Sequence, residues 1–467
     1  MTKFFIDQHG CAKNQTDGEQ IAGFLLKNNF EYSQNPEEAD FIIINSCGFI
    51  ESAKKESIDA VYNVKSNYPK AKIVLAGCLA ERYAEDLKKS MPELDGIFGN
   101  GDLSKIVEFM DECSKKKTPV KKYPQDSICN GERPLLFNYP SSAYVKITEG
   151  CSNHCSFCAI PLIRGELRSR PVQEIIKEIH SLVDDGVYEI NLIGQDLAAF
   201  EINGTPSLPE LFAEISKIKG EFIIRPLYIH PDHFDPEILT VMKKDSRFIP
   251  YFDIPFQSGD DSIIKAMNRT GTSLEYIGLV NTIRKEYPQA VLRTTFLVGF
   301  PGETEKAAEN TRDFLMAIKP DWSGSFAYSR EENTPAYSLK GRILKTIVNL
   351  RINELEKIQS EITTQKLESY VGNELDVLVE EIIDVIPEYT ADISEGLAIG
   401  RAWFQAPDVD GSVVIRYDRD DAKQMLSVKS GNIVKVKILA VSGVDLDARF
   451  VGLKRKFEPA NKRNYLF

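Results

Sequence analysis

The chain has no apolar run long enough to cross a bilayer. Its N-terminus, MTKFFIDQHGC, has no long apolar core ahead of a small-residue cleavage site, so no secretory leader is expected and a cytoplasmic location is. Positive charge is in deficit, with 57 Lys and Arg against 69 Asp and Glu and a net charge of −12. That balance argues against broad, nonspecific nucleic-acid binding but leaves room for a local basic patch. Hydrophobic residues at 42% and charged residues at 27% are ordinary for a globular protein, and 467 residues hold two to four domains. Cysteine is the exception to this plainness. Eight thiols in a chain expected to stay unsecreted point to metal or redox chemistry rather than to structural disulfides.

Three of those thiols lie in the stretch CSNHCSFC, as Cys151, Cys155 and Cys158, directly after a predicted strand, AYVKITEG. A cubane iron–sulfur cluster is usually held by four thiolates. This loop supplies three and no obvious fourth nearby, which would leave one iron open to a small molecule. A zinc knuckle usually takes four ligands, often as two spaced pairs, and a disulfide would leave an odd thiol. The iron–sulfur reading is therefore preferred. The spacing resembles the radical S-adenosylmethionine (SAM) signature, in which the open iron is chelated by SAM. His154, inside the loop, is expected to be an exposed loop residue.

The first domain, residues 1–130, repeats one device three times. KFFIDQHGC ends at Cys11, ADFIIINSC at Cys47 and AKIVLAGC at Cys78, each an apolar run followed by a helical pattern. Strand–helix alternation of this kind predicts a parallel sheet with right-handed crossovers. The carboxyl ends of such strands share one edge, where ligands bind. The three cysteines should therefore converge as a second three-thiolate site, rather than being three unrelated buried thiols. Asn14 and Asn45 flank it, with turn roles as open to them as bonds to cluster sulfur. A charged, proline-containing connector follows, in which Cys113 and Cys129 lie outside any motif and are read as bystanders.

The second domain, 136–370, alternates helices and strands in the pattern of a βα barrel of the TIM-like kind, whose active residues lie at the carboxyl ends of the strands. Those ends give Gln195 and Asp196, Asp253 with Gln257, Gly299 to Glu303, and Tyr328 to Glu332, with Arg293 on the strand AVLRTTFLVGF. Turns and caps are the competing roles for these residues. Phe157 is placed to pack on the adenine of SAM. Arg164, Arg168 and Arg170 can meet a carboxylate of SAM or substrate, or form surface salt bridges. The third domain, 371–467, reads as short strands between Gly, Pro and Asp turns, hence a small antiparallel β-barrel of about five strands. Its tail, GLKRKFEPANKRNYLF, is basic with interleaved aromatics, a weak nucleic-acid signal, with a flexible tail as the alternative. The fold class is thus α/β, with a β-barrel appended.

Along essentially its whole length the chain resembles the methylthiotransferases of the radical SAM superfamily. The three-cysteine domain, the C-x-x-x-C-x-x-C barrel and a terminal barrel resembling a TRAM domain occur in that family's order. Within it, GCAKNQTDGE, NSCGFIESAKKESIDA, EGCSNHCSFCAIPLIRGELRSR, LIGQD, DIPFQ and APDVDG are similar to the RimO-type branch, which modifies an aspartate of ribosomal protein S12. The SGD after DIPFQ is closer to the tRNA-modifying branch. The resemblance implies two 4Fe-4S clusters and SAM as cofactors. Cys151, Cys155 and Cys158 would hold the SAM-cleaving cluster, whose radical takes a hydrogen from the aspartate β-carbon. Cys11, Cys47 and Cys78 would hold an auxiliary cluster carrying the sulfur. Phe157, Gln195, Asp196, Asp253, Gln257, Arg293 and Tyr328 would face the cofactor. Partners implied are ribosomal protein S12, ribosomal RNA through the third domain, a reductant and a sulfur donor, with no membrane. An acidic enzyme would be attracted to a small basic protein. A tRNA adenosine methylthiotransferase and a non-catalytic iron–sulfur protein remain the alternative classes.

Overall fold

A computed structural model describes residues 1–115, 118–126, 128, 130–383, 394–460 and 463–466. Cys129, part of the tail and the chain's last residue lie outside them.

The first region is a six-stranded parallel sheet. Its strands are β1 (Lys3–Gln8), β2 (Glu31–Tyr32), β3 (Phe41–Ser46), β4 (Lys72–Gly77), β5 (Gly96–Phe98) and β6 (Val120–Lys121), in the order β2-β1-β3-β4-β5-β6. The β3 run FIIINS is buried at every position, as expected of a central strand covered on both faces. Register pairs Gln8 with Asn45 and Ser46 with Gly77, so β1, β3 and β4 end level. Helices α1 (Ala12–Lys27), α2 (Glu51–Asn67) and α3 (Cys78–Ser90) leave from those ends.

The central region has six parallel strands: β7 (Ser142–Lys146), β8 (Glu189–Ile193), β9 (Ile223–Pro226), β10 (Tyr251–Asp253), β11 (Val291–Val298) and β12 (Trp322–Ala327). They form two ladders, β9-β8-β7 and β10-β11-β12, joined by a bridge from Ile224 to Phe248. The expected barrel is therefore an open arc, with no pairing of β7 to β12 among the described residues. The physical reason lies in what fills it. The first residues of the strands, Tyr251, Val291 and Trp322, share one apolar core with the third region. The indole N–H of Trp322 donates to the Phe404 carbonyl at 2.8 Å. Tyr144 and Tyr251 donate to Asp408 and Asp410 at 2.8 and 2.6 Å. A segment of the third region thus plugs the amino end of the arc, and the carboxyl end meets the first region, where Lys54 and Arg82 pair with Glu331. A 24-residue helix, α4 (Lys345–Glu368), packs along β12.

The third region is a closed five-stranded barrel of β13 (Glu374–Ile383), β14 (Glu395–Ala402), β15 (Val413–Asp418), β16 (Ile433–Ser442) and β17 (Asp445–Arg455), in the order β13-β14-β15-β17-β16. The pairing is antiparallel except between β15 and β17, which run parallel. An all-antiparallel barrel was expected. The chain leaves β15 through a short helix and a hairpin before it returns, which reverses its direction once more. The barrel is anchored by Arg401, which reaches Glu189 at the start of β8 at 2.7 Å, while Arg225 reaches the same carboxylate at 2.9 Å. The tail is docked rather than flexible where described: Asn464–Tyr465 pairs in parallel with Leu135–Leu136, and Arg463 bonds Asp185.

Candidate active site at the strand ends

Cys11 caps the N-terminus of α1 and Cys78 is the first residue of α3. Both therefore lie where helix dipoles and unpaired backbone N–H groups favour a thiolate. Burial acts against ionisation at Cys11, yet Lys13, Arg164 and the backbone N–H groups of Asn14 and Lys13 outweigh it and hold the thiol below its ordinary pKa. Burial pushes Cys78 up to about 12 and raises Cys47. The three loops are in contact. A Cβ on Gly48 would lie 2.7 Å from the Cys78 carbonyl, and one on Gly10 would lie 3.5 Å from the Cys47 sulfur. Only glycine lets these loops close so tightly. Asn14 donates to the carbonyls of His9 and Asn45 at 2.8 and 3.0 Å while its side-chain oxygen lies 3.8 Å from the Cys78 sulfur, and Asn45 donates to the Asn14 carbonyl at 2.6 Å and to the Gln8 side chain at 2.8 Å.

The barrel loop carries the second triad after β7. Burial pushes Cys151 to about 11 and Cys158 to about 12. The Ile160 N–H donates to the Cys158 sulfur at 3.4 Å, and Nε2 of His230 lies 4.0 Å from that of Cys155. His154 is exposed, as expected. The first triad meets the segment that follows the second: Cys78 forms a buried cluster with Ala159 and Ile163, just after Cys158.

The polar strand ends divide into two sets. Asp196 accepts from Asn153 and from the backbone N–H of His230 and Ala198 at 2.9 to 3.2 Å, and its carboxylate lies 3.0 Å from Nδ1 of His233. Asp253 accepts from the Tyr228 backbone N–H at 3.2 Å and from Arg293 at 3.1 Å. Gln257 holds a left-handed φ of 72° and bridges to Phe296. Glu303 takes the cap role, accepting from the Gly299 N–H at 3.0 Å and from Arg351 at 2.7 Å. By contrast, the Gln195 carbonyl oxygen and the Tyr328 hydroxyl are buried without a partner. Phe157 packs with Phe300, Ala336 and Tyr328. A groove of about 480 Å³ lined by Ser152, Asn153, His230 and His233 opens beside the loop.

Several residues have roles the sequence did not mark. Lys13 is buried with its ammonium 3.2 Å above the Tyr228 ring, and burial lowers its pKa against the opposing charges of Cys11 and Asp253. Arg164 donates to Asp17 at 2.8 Å, Glu149 at 2.7 Å and the Cys78 sulfur at 3.2 Å. Arg170 is tied to Glu178 at 2.5 Å, and Arg168 donates to the Arg164 carbonyl at 3.1 Å. These arginines make internal bonds rather than presenting an anion site. Asn100 donates to the Cys78 sulfur at 3.8 Å. Nothing in their spacing distinguishes these residues from a solvated or capping residue.

Fold and site together define a radical SAM enzyme with a second cysteine site. Residues 145–315 match the model of the radical SAM superfamily, residues 3–99 that of the uncharacterized protein family UPF0004, and residues 371–451 that of the TRAM domain. Among solved structures, the radical SAM methyltransferase TsrM from Kitasatospora setae aligns with a TM-score of 0.55 at 13% identity over 72% of this chain and 77% of that one. The cobalamin-dependent SAM radical enzyme OxsB aligns with a TM-score of 0.50 at 13% identity over 76% and 56%. Likeness at that identity concerns fold alone. Sequence relatives are nearer. The chain is 50% identical to the ribosomal protein uS12 methylthiotransferase RimO of Treponema denticola, over 95% of this chain and 99% of that one. It is 38% identical to RimO of Petrotoga mobilis over 97% and 100%, and 36% identical to RimO of Carboxydothermus hydrogenoformans over 96% and 99%. The chain belongs to the RimO family of radical SAM methylthiotransferases. Membership brings with it an iron–sulfur cluster and SAM. No helix of the described residues is long and apolar enough to cross a membrane.

Proposed function

We propose that this enzyme adds a methylthio group to the β-carbon of an aspartate in ribosomal protein uS12, using two 4Fe-4S clusters. The observation that carries the reading is the contact of Cys78, in one three-cysteine site, with the segment that directly follows Cys158, in the other, in a chain that is 50% identical to a uS12 methylthiotransferase.

The donor sets fit clusters. Among the described residues, the group whose ligand atoms all lie within 4.8 Å of one another is Asp196, His230 and His233. Three thiols on one loop, and three at neighbouring strand ends, suit a polynuclear centre in which each thiolate holds a different iron. Cys151, Cys155 and Cys158 are assigned to the SAM-cleaving cluster, and Cys11, Cys47 and Cys78 to the auxiliary one. When bound, the two clusters and SAM supply the radical and the sulfur that acid–base chemistry on an unactivated C–H bond cannot.

The protein's own residues position and exclude. The orphaned polar atoms of Gln195 and Tyr328 are left for a bound molecule, since a buried donor or acceptor otherwise costs about 1–3 kcal/mol. Phe157 offers a ring beside Tyr328 for an adenine. Asp196, Asp253, Gln257 and Arg293 hold the strand ends that frame the site. Ribosomal RNA is assigned to the third region, and a reductant and a sulfur donor complete the partners. A cytoplasmic location follows from a ribosomal substrate. The domain limits are placed at 1–130, 136–370 and 371–467, supported by the six-stranded sheet, the arc and the closed barrel each falling within one span, while Asn464–Tyr465 reaches back to pair with Leu135–Leu136.

The SGD segment gives no support to a tRNA substrate. Ser258 and Asp260 are buried, Asp260 caps a helix by accepting from Ser262 and Ile263, and a Cβ on Gly259 would lie 2.3 Å from Phe314. That segment answers to packing. The test is mass spectrometry of uS12 from cells with and without the chain. One methylthio group on an aspartate, dependent on the chain and on Cys155, is expected. An unchanged uS12 alongside altered tRNA nucleosides would overturn the assignment.

A further inference from the structure

Arg164 stands six residues after Cys158, on the short helix Ile160–Arg164 that leaves the barrel loop, yet its side chain ends in the other cysteine site. It is 3% exposed. One guanidinium nitrogen serves both the Asp17 carboxylate at 2.8 Å and the Cys78 sulfur at 3.2 Å, and the other serves Glu149 at 2.7 Å. We propose that Arg164 is a positioning residue of the auxiliary site, which orients the Cys78 thiolate and raises the reduction potential of the cluster held there. The proposal rests on the auxiliary-cluster reading above and deepens it.

Arg164 shares the two carboxylates with Lys146, which bonds both Asp17 and Glu149 at 2.5 Å, so two cations balance two buried anions. Cys78 is in a different position. Without Arg164, its described donor is the Asn100 amide N–H at 3.8 Å, while the Asn14 side-chain carbonyl oxygen, 3.8 Å away, can only accept from the protonated thiol. The guanidinium is thus the cation that this sulfur meets at hydrogen-bond distance. An N–H···S bond from a cation withdraws electron density from a cluster ligand and favours the reduced, more negative state. Hydrogen bonds to the sulfurs are among the factors that set cluster potentials. The barrel triad has more distant donors: a backbone N–H at 3.4 Å from Cys158 and the His230 imidazole 4.0 Å from Cys155. The two sites are therefore built unequally, with the auxiliary site favoured for an electron. The barrel loop also sets the geometry of the auxiliary site through this one side chain.

The test uses the full chain with Cys151, Cys155 and Cys158 all replaced by Ala, so that only the auxiliary site loads. Iron and sulfide content, a redox titration followed by electron paramagnetic resonance and a thermal melt are measured for Arg164, Arg164→Lys, Arg164→Met and Asp17→Asn. The expected result is a midpoint potential shifted negative in Arg164→Met, an intermediate shift in Arg164→Lys, and little shift in Asp17→Asn, which keeps the bond to sulfur. Loss of iron in Arg164→Met with normal loading in Asp17→Asn also supports positioning. Equal potentials and loading in all four proteins overturn the proposal. So does parallel loss of iron in Arg164→Met and Asp17→Asn, which would give Arg164 a purely structural role at the junction. A triple-alanine parent that binds no iron overturns the auxiliary cluster itself, and the proposal falls with it.

Discussion

Cys78 shares a small buried cluster with Ala159 and Ile163, of which Ala159 directly follows Cys158 in the chain. Sites from two separate sheets thereby become neighbours, with one sulfur of each within a few residues of a shared contact.

This adjacency leaves the two triads chemically separable. Cys155→Ala is expected to abolish SAM cleavage, whereas Cys47→Ala should keep some cleavage and lose sulfur insertion. Chromatographic assay of 5′-deoxyadenosine, run beside mass analysis of a uS12 peptide, checks the division. Equal loss of cleavage in two folded variants would count against it.

Gly48 offers a second handle on the auxiliary site alone. A Cβ there would meet the Cys78 carbonyl at 2.7 Å and the Leu79 Cα at 2.8 Å, so the loops must part. Gly48→Ala is predicted to reduce bound iron toward half while leaving SAM cleavage in place. Iron analysis of reconstituted protein is the measurement, and full loading would show that the loop can give way.

The positions of the six cysteines were legible because each ends a strand or falls in one short spacing, and parallel register does the rest: Gln8, Asn45 and Ala76 lie side by side. The open arc was not legible. Each strand reads like a barrel strand, and what plugs the amino end, Phe404 to Asp410, comes from a region whose own pattern is only that of a small barrel. Arg164 was equally hidden. Its spacing allowed a SAM carboxylate or a surface partner, and only the fold shows that its side chain crosses to Cys78. The docked tail was missed for a similar reason, since two residues, Asn464 and Tyr465, carry no periodicity.

The junction of the central and third regions rests on Glu189, which accepts from Arg401 at 2.7 Å and Arg225 at 2.9 Å. Burial opposes the ionised form, but the two guanidiniums outweigh it and hold the carboxyl well below its usual range. Removing one cation from such a site leaves buried charge uncompensated. Arg401→Met is predicted to destabilise the protein by about 3–5 kcal/mol, read as a lower urea midpoint. Glu380, which accepts from Arg401 at 2.6 Å, would lose its partner in the same step.

Asp410 should give the junction a pH dependence of the opposite sign to that of Glu189. It is buried, and burial pushes its carboxyl up to about 6 despite Arg293, the Ala406 N–H and the Tyr251 hydroxyl. A group whose native pKa lies above its unfolded value binds more protons folded than unfolded between the two values. Its contribution to stability is fully present below about 3.9, the ordinary aspartate value, and is lost as pH rises through about 6. A shift of this size corresponds to on the order of 1–3 kcal/mol. Carboxylates held low, such as Glu178 between Arg133 and Arg170 at about 2, lose their contribution only as pH falls toward that value. Between about pH 4 and 6 the Asp410 effect is therefore isolated by comparing parent with Asp410→Asn, which keeps an acceptor for Tyr251 but cannot ionise. The parent's stability relative to the variant is expected to fall as pH rises through that window, measured by urea unfolding at a series of pH values. A constant difference across it would place the native pKa of Asp410 near that of an exposed aspartate and remove the burial argument for this junction.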